Sequence, residues 1–409
     1  MPGPQACEEG SNSRRGRARP TSTESRVSTP SRKRRWAGCA GIALAVVAFT
    51  CWWVVGECWM ETGGRRPVRR NLSVAVVYSP GYEIRLGGLE RLHAFDIHKY
   101  SRIYGALVKA GSLDRKKVLA PVPVTDEQVL LVHSPEFLAS LKDKRAVARY
   151  LEAGVLRLLP ESLLERKVIN PFRRATGGTV LAARQALRCG IAINIGGGYH
   201  HAKPHAGEGF CLFADMPIAI RVLQREKSIK RALVIDLDVH QGNGTAVCDN
   251  GDDSIYTFSM HQGNIYPIPK EASDRDVELA PGTGDREYLA LLGDELPALF
   301  DLASPDIVFL QAGCDTLKGD PLASLAMTEE GIVTRDSMVI DACVKRNIPV
   351  VMTLGGGYSR DAWHVQYASI AAILAKYRQA TPECAEGSPP PPPPGKTRLP
   401  EQKYWKKVP

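Results

Sequence analysis

The chain has 409 residues, 44% hydrophobic and 24% charged, with a formal net charge of +9, a balance that suits globular structure. The positive excess is terminal: residues 1–35 hold nine Lys/Arg against three acids, whereas residues 71–380 come to −1, so a basic nucleic-acid-binding face on the central body loses its main support. Ten cysteines form no Cys-x-x-Cys pair, and Cys189, Cys211, Cys248, Cys314 and Cys343 are scattered as an odd set, so no disulfide framework is expected and the body is read as reduced.

Residues 1–35 are rich in Arg, Ser, Pro and Gly without apolar periodicity, and read as a disordered basic tail. Trp36 to Gly56 is a 21-residue run without charge, long enough for one membrane span of about 20 residues. Trp36 at one end and Trp52, Trp53 and Trp59 at the other match an aromatic belt. Residues 36–60 are therefore expected to anchor a single-pass membrane protein. Seven Lys/Arg in 16–35 against four in 61–80 favour a cytoplasmic N-terminus, while the side of the body stays open. The competing readings are an organelle-targeting leader, a signal peptide, or a soluble cytoplasmic or nuclear protein.

From Leu72 the pattern is globular. Ser73–Tyr78 alternates as a first strand. Gly88–Gly111 is helical in character, with Leu89, Leu92, Phe95 and Tyr100 facing inward. Thr125 precedes the polar–apolar run to His133, and Ser134-Pro135 opens a further helix. Thr176–Arg188 reads as a helix ended by Gly190. Apolar strands then recur at Ile191–Ile195, Ala232–Leu237, Ser254–Ser259, Asp306–Gln311 and Ile348–Leu354, with helical stretches at Pro217–Gln224 and Glu329–Arg346. Such alternation predicts an α/β fold, a mostly parallel sheet between two helical layers. One domain is expected over 72–376, followed by a flexible tail at 377–409 that carries the polyproline run Pro389–Pro394.

The stretch Asp236-Leu237-Asp238-Val239-His240 continues a strand, and alternation puts Asp236, Asp238 and His240 on one face. Two carboxylates and an imidazole crowded together need a positive charge between them, and a divalent metal supplies it. Four polar groups follow predicted strands: His200/His201, Asp238/His240, Asp315 and Tyr358. Ligands bind outside the carboxyl ends of strands in such sheets. Asp238, His240 and Asp315 make a three-ligand site of the catalytic zinc type, with no Cys cluster to suggest a structural one. His200 and His201 form the proton-transfer pair. Tyr358 is placed to donate to a developing oxyanion, an interaction worth on the order of 3 kcal/mol. The chemistry that fits is amide hydrolysis through a tetrahedral intermediate.

Gly196–Ala202 (GGGYHHA), Gly209-Phe210-Cys211, Asp236–Thr245 (DLDVHQGNGT), Gly313–Leu322 (GCDTLKGDPL) and Gly355–Tyr358 together resemble the histone deacetylase superfamily over roughly 72–376. Leu89–Asp96, Gln241–Gly244 and Pro281–Gly284 are most similar to its class IV branch. The resemblance implies an arginase/deacetylase-like three-layer α/β/α fold and zinc on Asp238, His240 and Asp315. It also implies that Asp236 orients His200 and contributes to a structural potassium site, and that His201 is the principal general acid/base. Phe210 and Gly198 become substrate-binding walls of an acyl-lysine tunnel, and Tyr358 the oxyanion donor. Asn243 stands where class I members have an acid beside the second histidine. The implied activity is zinc-dependent deacylation of N-acyl-lysine, extended by the class IV likeness to long fatty acyl groups. The alternatives are a small-molecule deacylase such as an acetylpolyamine amidohydrolase, or a membrane-tethered metal-binding protein without turnover. A two-manganese ureohydrolase would need a second Asp-x-Asp pair near Asp315, where Thr316-Leu317 stand instead.

Overall fold

The computed structural model describes residues 72–249 and 251–380. Eight strands, β1 (Ser73–Val77), β2 (Val118–Leu119), β3 (Gly190–Asn194), β4 (Ala232–Asp236), β5 (Ile255–Gln262), β6 (Arg275–Leu279), β7 (Ile307–Gln311) and β8 (Val350–Thr353), form one sheet in the order β2-β1-β3-β8-β7-β4-β5-β6. Every pairing is parallel. All positions of β3, β4, β7 and β8 are buried, which requires cover on both faces and explains their unbroken Val/Ile/Leu character.

Among the helices are α1 (Lys99–Lys109), α2 (Asn170–Cys189), α3 (Asp215–Arg225), α4 (Asn243–Asp249), α5 (Asp285–Ala303), α6 (Glu329–Lys345) and α7 (Ala362–Tyr377). α2 packs on β1, β3, β8 and α3, while α5 packs on β4 and β5 and α7 on β1, α1 and α6. Arg335 of α6 is fully buried and donates to the Leu237 and Gly313 carbonyls at 3.0 and 2.8 Å. It thereby ties together the two chain segments that leave β4 and β7.

Several expectations are corrected. The helix foreseen over Gly88–Gly111 is split into a short 3₁₀ turn, Leu89–Leu92, and α1. Between them the Phe95 N–H bonds His93 Nδ1 at 3.0 Å and the His98 N–H bonds Asp96 Oδ1 at 3.0 Å; side chains that satisfy nearby N–H groups compete with helix. β2 and β6 are additional edge strands, one two residues long and the other charged, which is how sheet edges are blunted. Order continues past Lys376: α7 reaches Tyr377, and the Ala380 N–H bonds the Val74 carbonyl at 2.8 Å. Cys211, Cys248, Cys314 and Cys343 are free, as a reduced body requires, but Cys189 is disulfide-bonded.

The single-pass membrane assignment is also corrected. A single-pass span requires a long apolar helix that pairs its own backbone groups, and no described helix is long and apolar enough to cross a membrane. Residues 36–60, like the tail 1–35 and residues 381–409, lie outside the described residues.

Candidate metal centre and active site

β4 ends at Asp236, so strand alternation does not place the next residues. Successive carboxylate turns do. The Asp238 N–H bonds Asp236 Oδ1 at 3.1 Å, the His240 N–H bonds Asp238 Oδ1 at 3.1 Å, and the Val239 N–H bonds Asp315 Oδ1 at 2.9 Å. Aspartate favours this bond to the backbone two residues on. Asp315 arrives from the segment after β7. His240 Nδ1 lies 3.3 Å from Asp238 Oδ1 and 3.2 Å from Asp315 Oδ2.

One ligand atom from each of Asp238, His240 and Asp315 falls within 4.8 Å of the others, and all three residues are buried. The backbone packs directly on the carboxylates. The Gly356 N–H bonds Asp238 Oδ2 at 2.7 Å, and a Cβ at Gly356 would come within 2.1 Å of Asp315 Oδ2. That contact accounts for glycine at this position.

Electrostatics shows what the pocket demands. Burial disfavours charge on Asp315, which with the neighbouring Asp238 carboxylate raises its pKa to about 7. Burial would also raise Asp238, but the His200 and His240 imidazoles hold it well below the usual carboxylate range. Burial would lower His240, yet its bonds to Asp238 and Asp315 lift it to about 10. Without a metal the site recruits protons to balance its carboxylates, and a divalent cation would meet the same need. The donor set and its geometry fit such an ion.

His200 and His201 lie side by side with their rings tilted by 45°, ring centres 4.0 Å apart, but in unlike surroundings. His200 Nδ1 bonds Asp236 Oδ2 at 2.8 Å. Burial opposes its charge, and the Asp236 and Asp238 carboxylates overcome that and raise it to about 9. His201 Nδ1 bonds Asn243 Oδ1 at 2.7 Å. Burial and the neighbouring imidazoles of His200 and His240 hold it well below its ordinary value, in the neutral form.

Tyr358 follows β8, its N–H anchored on Asp320 Oδ2 at 2.8 Å and its ring 6.0 Å edge-on from His240. Burial keeps its phenol protonated. Phe210 stands in a two-residue turn in which Gly209 and Phe210 both have positive φ, +52° and +66°, as a tight hairpin turn requires. The turn sets the Phe210 ring 4.6 Å from His93 and 6.1 Å from Tyr358. Gly198 donates to Asp215 Oδ2 at 2.9 Å, and its carbonyl accepts from Gln311 at 2.8 Å.

These groups border a cavity of about 380 Å³. Its polar end holds Gly198, His200, His201 and Tyr358, and from there it extends between loops and short turns carrying Leu86, Leu92, Phe95 and Leu156 and the helical stretch carrying Val168 and Phe172. The structure brings every expected site residue into this one region.

Two groups escaped the sequence reading. Lys99 is buried, with Nζ donating to the Gly355 and Gly356 carbonyls at 2.7 and 3.0 Å and lying 4.5 Å from the Phe95 ring. Burial lowers its pKa, against the pull of Cys314, Asp315 and Asp238. Its signal was the helical spacing Lys99, Ile103, Leu107, which puts a lysine on the inward face. Glu208 is the other, an acid flanked by glycines just before Phe210.

A family model described as "Histone deacetylase domain" matches residues 93–374. The chain belongs to the histone deacetylase family. Histone deacetylase 2 of Arabidopsis thaliana is 40% identical over 301 residues, 73% of this chain and 78% of that protein. A probable deacetylase of Methanothermobacter thermautotrophicus is 29% identical over 71% of this chain and 87% of its own length. The crystal structure of the HDA15 HD domain is similar with a TM-score of 0.61 at 23% identity, over 75% of this chain and 89% of that one, a likeness of fold. A histone deacetylase-family hydrolase with an α/β fold and a parallel sheet is thus established.

Proposed function

We propose that the protein is a zinc-dependent hydrolase of N-acyl-lysine, with long apolar acyl groups among its substrates. The observation that carries this reading is the joining of the Asp238, His240 and Asp315 cluster to an apolar cavity by way of His200, His201 and Tyr358. Zinc held by Asp238, His240 and Asp315 would supply a Lewis acid for the amide carbonyl and for an attacking water.

The remaining work falls to the chain's own residues. His201, neutral and with Nδ1 committed to Asn243, has Nε2 available to take a proton from the water that adds to the carbonyl carbon. The same proton can pass to lysine nitrogen as the C–N bond breaks, so that acid and amine leave. His200, charged through Asp236, adds positive charge beside the developing oxyanion. The Tyr358 hydroxyl donates a hydrogen bond to it. Gly198 and Phe210 form walls for the acyl-lysine, and each methylene buried in the apolar cavity contributes about 0.8 kcal/mol.

The test is turnover of acetyl-lysine and myristoyl-lysine peptides, with acetylated polyamine as a third substrate, by the zinc-loaded full chain. Release of both acids from the peptides, with the lower KM for myristoyl, is expected. Turnover of the polyamine alone would move the substrate to small amines.

A further inference from the structure

Glu208 has no role in the reading above, yet its surroundings tie it to the site. Its backbone opens the Gly209-Phe210 turn, with the Glu208 N–H bonding the Cys211 carbonyl at 3.0 Å and the reverse bond at 2.9 Å. Glu208 Oε1 accepts from Asn243 Nδ2 at 2.9 Å and from the Tyr266 hydroxyl at 2.7 Å. Oε2 faces Lys203 Nζ at 3.1 Å. Asn243 itself is buried, with its other amide atom on His201.

The donor inventory then fixes a chain of orientations. A carboxylate only accepts, so the Asn243 atom facing Glu208 must be the amide nitrogen. The amide oxygen is therefore turned to His201. That oxygen also only accepts, so His201 Nδ1 must carry the hydrogen and Nε2 keeps its lone pair. Burial works against charge on Glu208, but Tyr266, Asn243 and Lys203 together hold its pKa below the ordinary value.

We infer that Glu208 is a positioning residue that sets the amide orientation of Asn243 and, through it, the tautomer of His201. The inference rests on the reading of His201 as general base. It accounts for an asparagine at this place: an amide has no preferred end of its own, and a fixed anion behind it selects one. An anion directly on His201 would favour its charged form, whereas the interposed amide keeps the ring neutral and still directed.

The experiment reads the tautomer of His201 by nitrogen-15 spectra of the histidine-labelled, metal-free full chain, its signal identified by loss in His201→Ala. The wild-type chain should show a single Nδ1–H form. Glu208→Gln can present either an oxygen or a nitrogen to Asn243, and should give a mixture of both forms. Glu208→Gln with Asn243→Asp should keep Nδ1 protonated throughout and lose the neutral Nε2–H form, because the carboxylate placed at 243 only accepts, and the ring should become neutral only at higher pH. In the zinc-loaded enzyme, kcat on the better peptide should fall in Glu208→Gln in proportion to the Nδ1–H form lost, about two-fold for an equal mixture. KM should hold, and the double variant should recover kcat toward high pH, where its His201 is neutral. Should Glu208→Gln not fold, Glu208→Ala is read in the same way.

An unchanged Nδ1–H signal in Glu208→Gln overturns the inference, even if kcat falls. So does an Nε2–H form that persists in the double variant. A wild-type chain that turns over no acyl-lysine peptide overturns the deacylase reading instead, while the spectra still decide the role of Glu208.

Discussion

The floor of the cavity and its apolar mouth are held by different means. Asp238, His240 and Asp315 leave buried strands, their carboxylates bond backbone N–H groups at 2.7–3.1 Å, and Arg335 clamps the two segments from below. The mouth is carried by loops, where Leu86 is half-buried and Leu92 is 81% exposed. Changes in the floor should therefore alter whether chemistry occurs, and changes in the mouth should alter which acyl chain is preferred.

The largest effect is expected from Asp238→Ala, which removes a proposed zinc ligand and the acceptor for the Gly356 and His240 N–H groups. Zinc content measured on the purified protein should fall to background, and turnover with it. Tyr358→Phe should keep one zinc per chain and lower kcat about 10²- to 10³-fold, a split that separates metal binding from oxyanion stabilisation. A fully active Tyr358→Phe enzyme would remove Tyr358 from the chemistry.

At the mouth, Leu92→Ser should raise KM for myristoyl-lysine about ten-fold at most, in line with roughly 1.5 kcal/mol for part of a leucine contact. KM for acetyl-lysine should hardly move. Equal effects on both substrates would erase the distinction between floor and mouth.

The smallest effect concerns pH. In the metal-free protein the His240 pKa is raised to about 10, so its stabilising contribution is fully present below about 6.5 and is lost as pH rises through the folded value. Zinc bound at His240, as proposed, would have to displace that proton. The melting-temperature gain on adding zinc should accordingly be larger at pH 8 than at pH 6, and a gain independent of pH would show that His240 is not a ligand.

The sequence was most informative where residues are buried on both sides. Runs such as Ala232–Asp236 and Ile307–Gln311 have no polar face and sit in the middle of the sheet. It was less so at the edges: β2 is two residues long, and β6, Arg275–Leu279, has too few apolar residues for a clear period. Asp236, Asp238 and His240 were rightly grouped for a reason that does not hold, since backbone-bonding turns bring them together where strand alternation was expected. Glu208 and Lys99 depend on partners 35 and 256 residues away; helical spacing marks Lys99 as inward-facing, but no local pattern announces what either side chain meets there.

The most direct test of the account is the rate of lysine deacylation by metal-stripped full-length protein as zinc is restored, on myristoyl-lysine and acetyl-lysine peptides in parallel. The account predicts no turnover without metal, a rise that saturates at one zinc per chain, and no recovery in Asp238→Ala. Zinc bound at one per chain with neither peptide cleaved would contradict it.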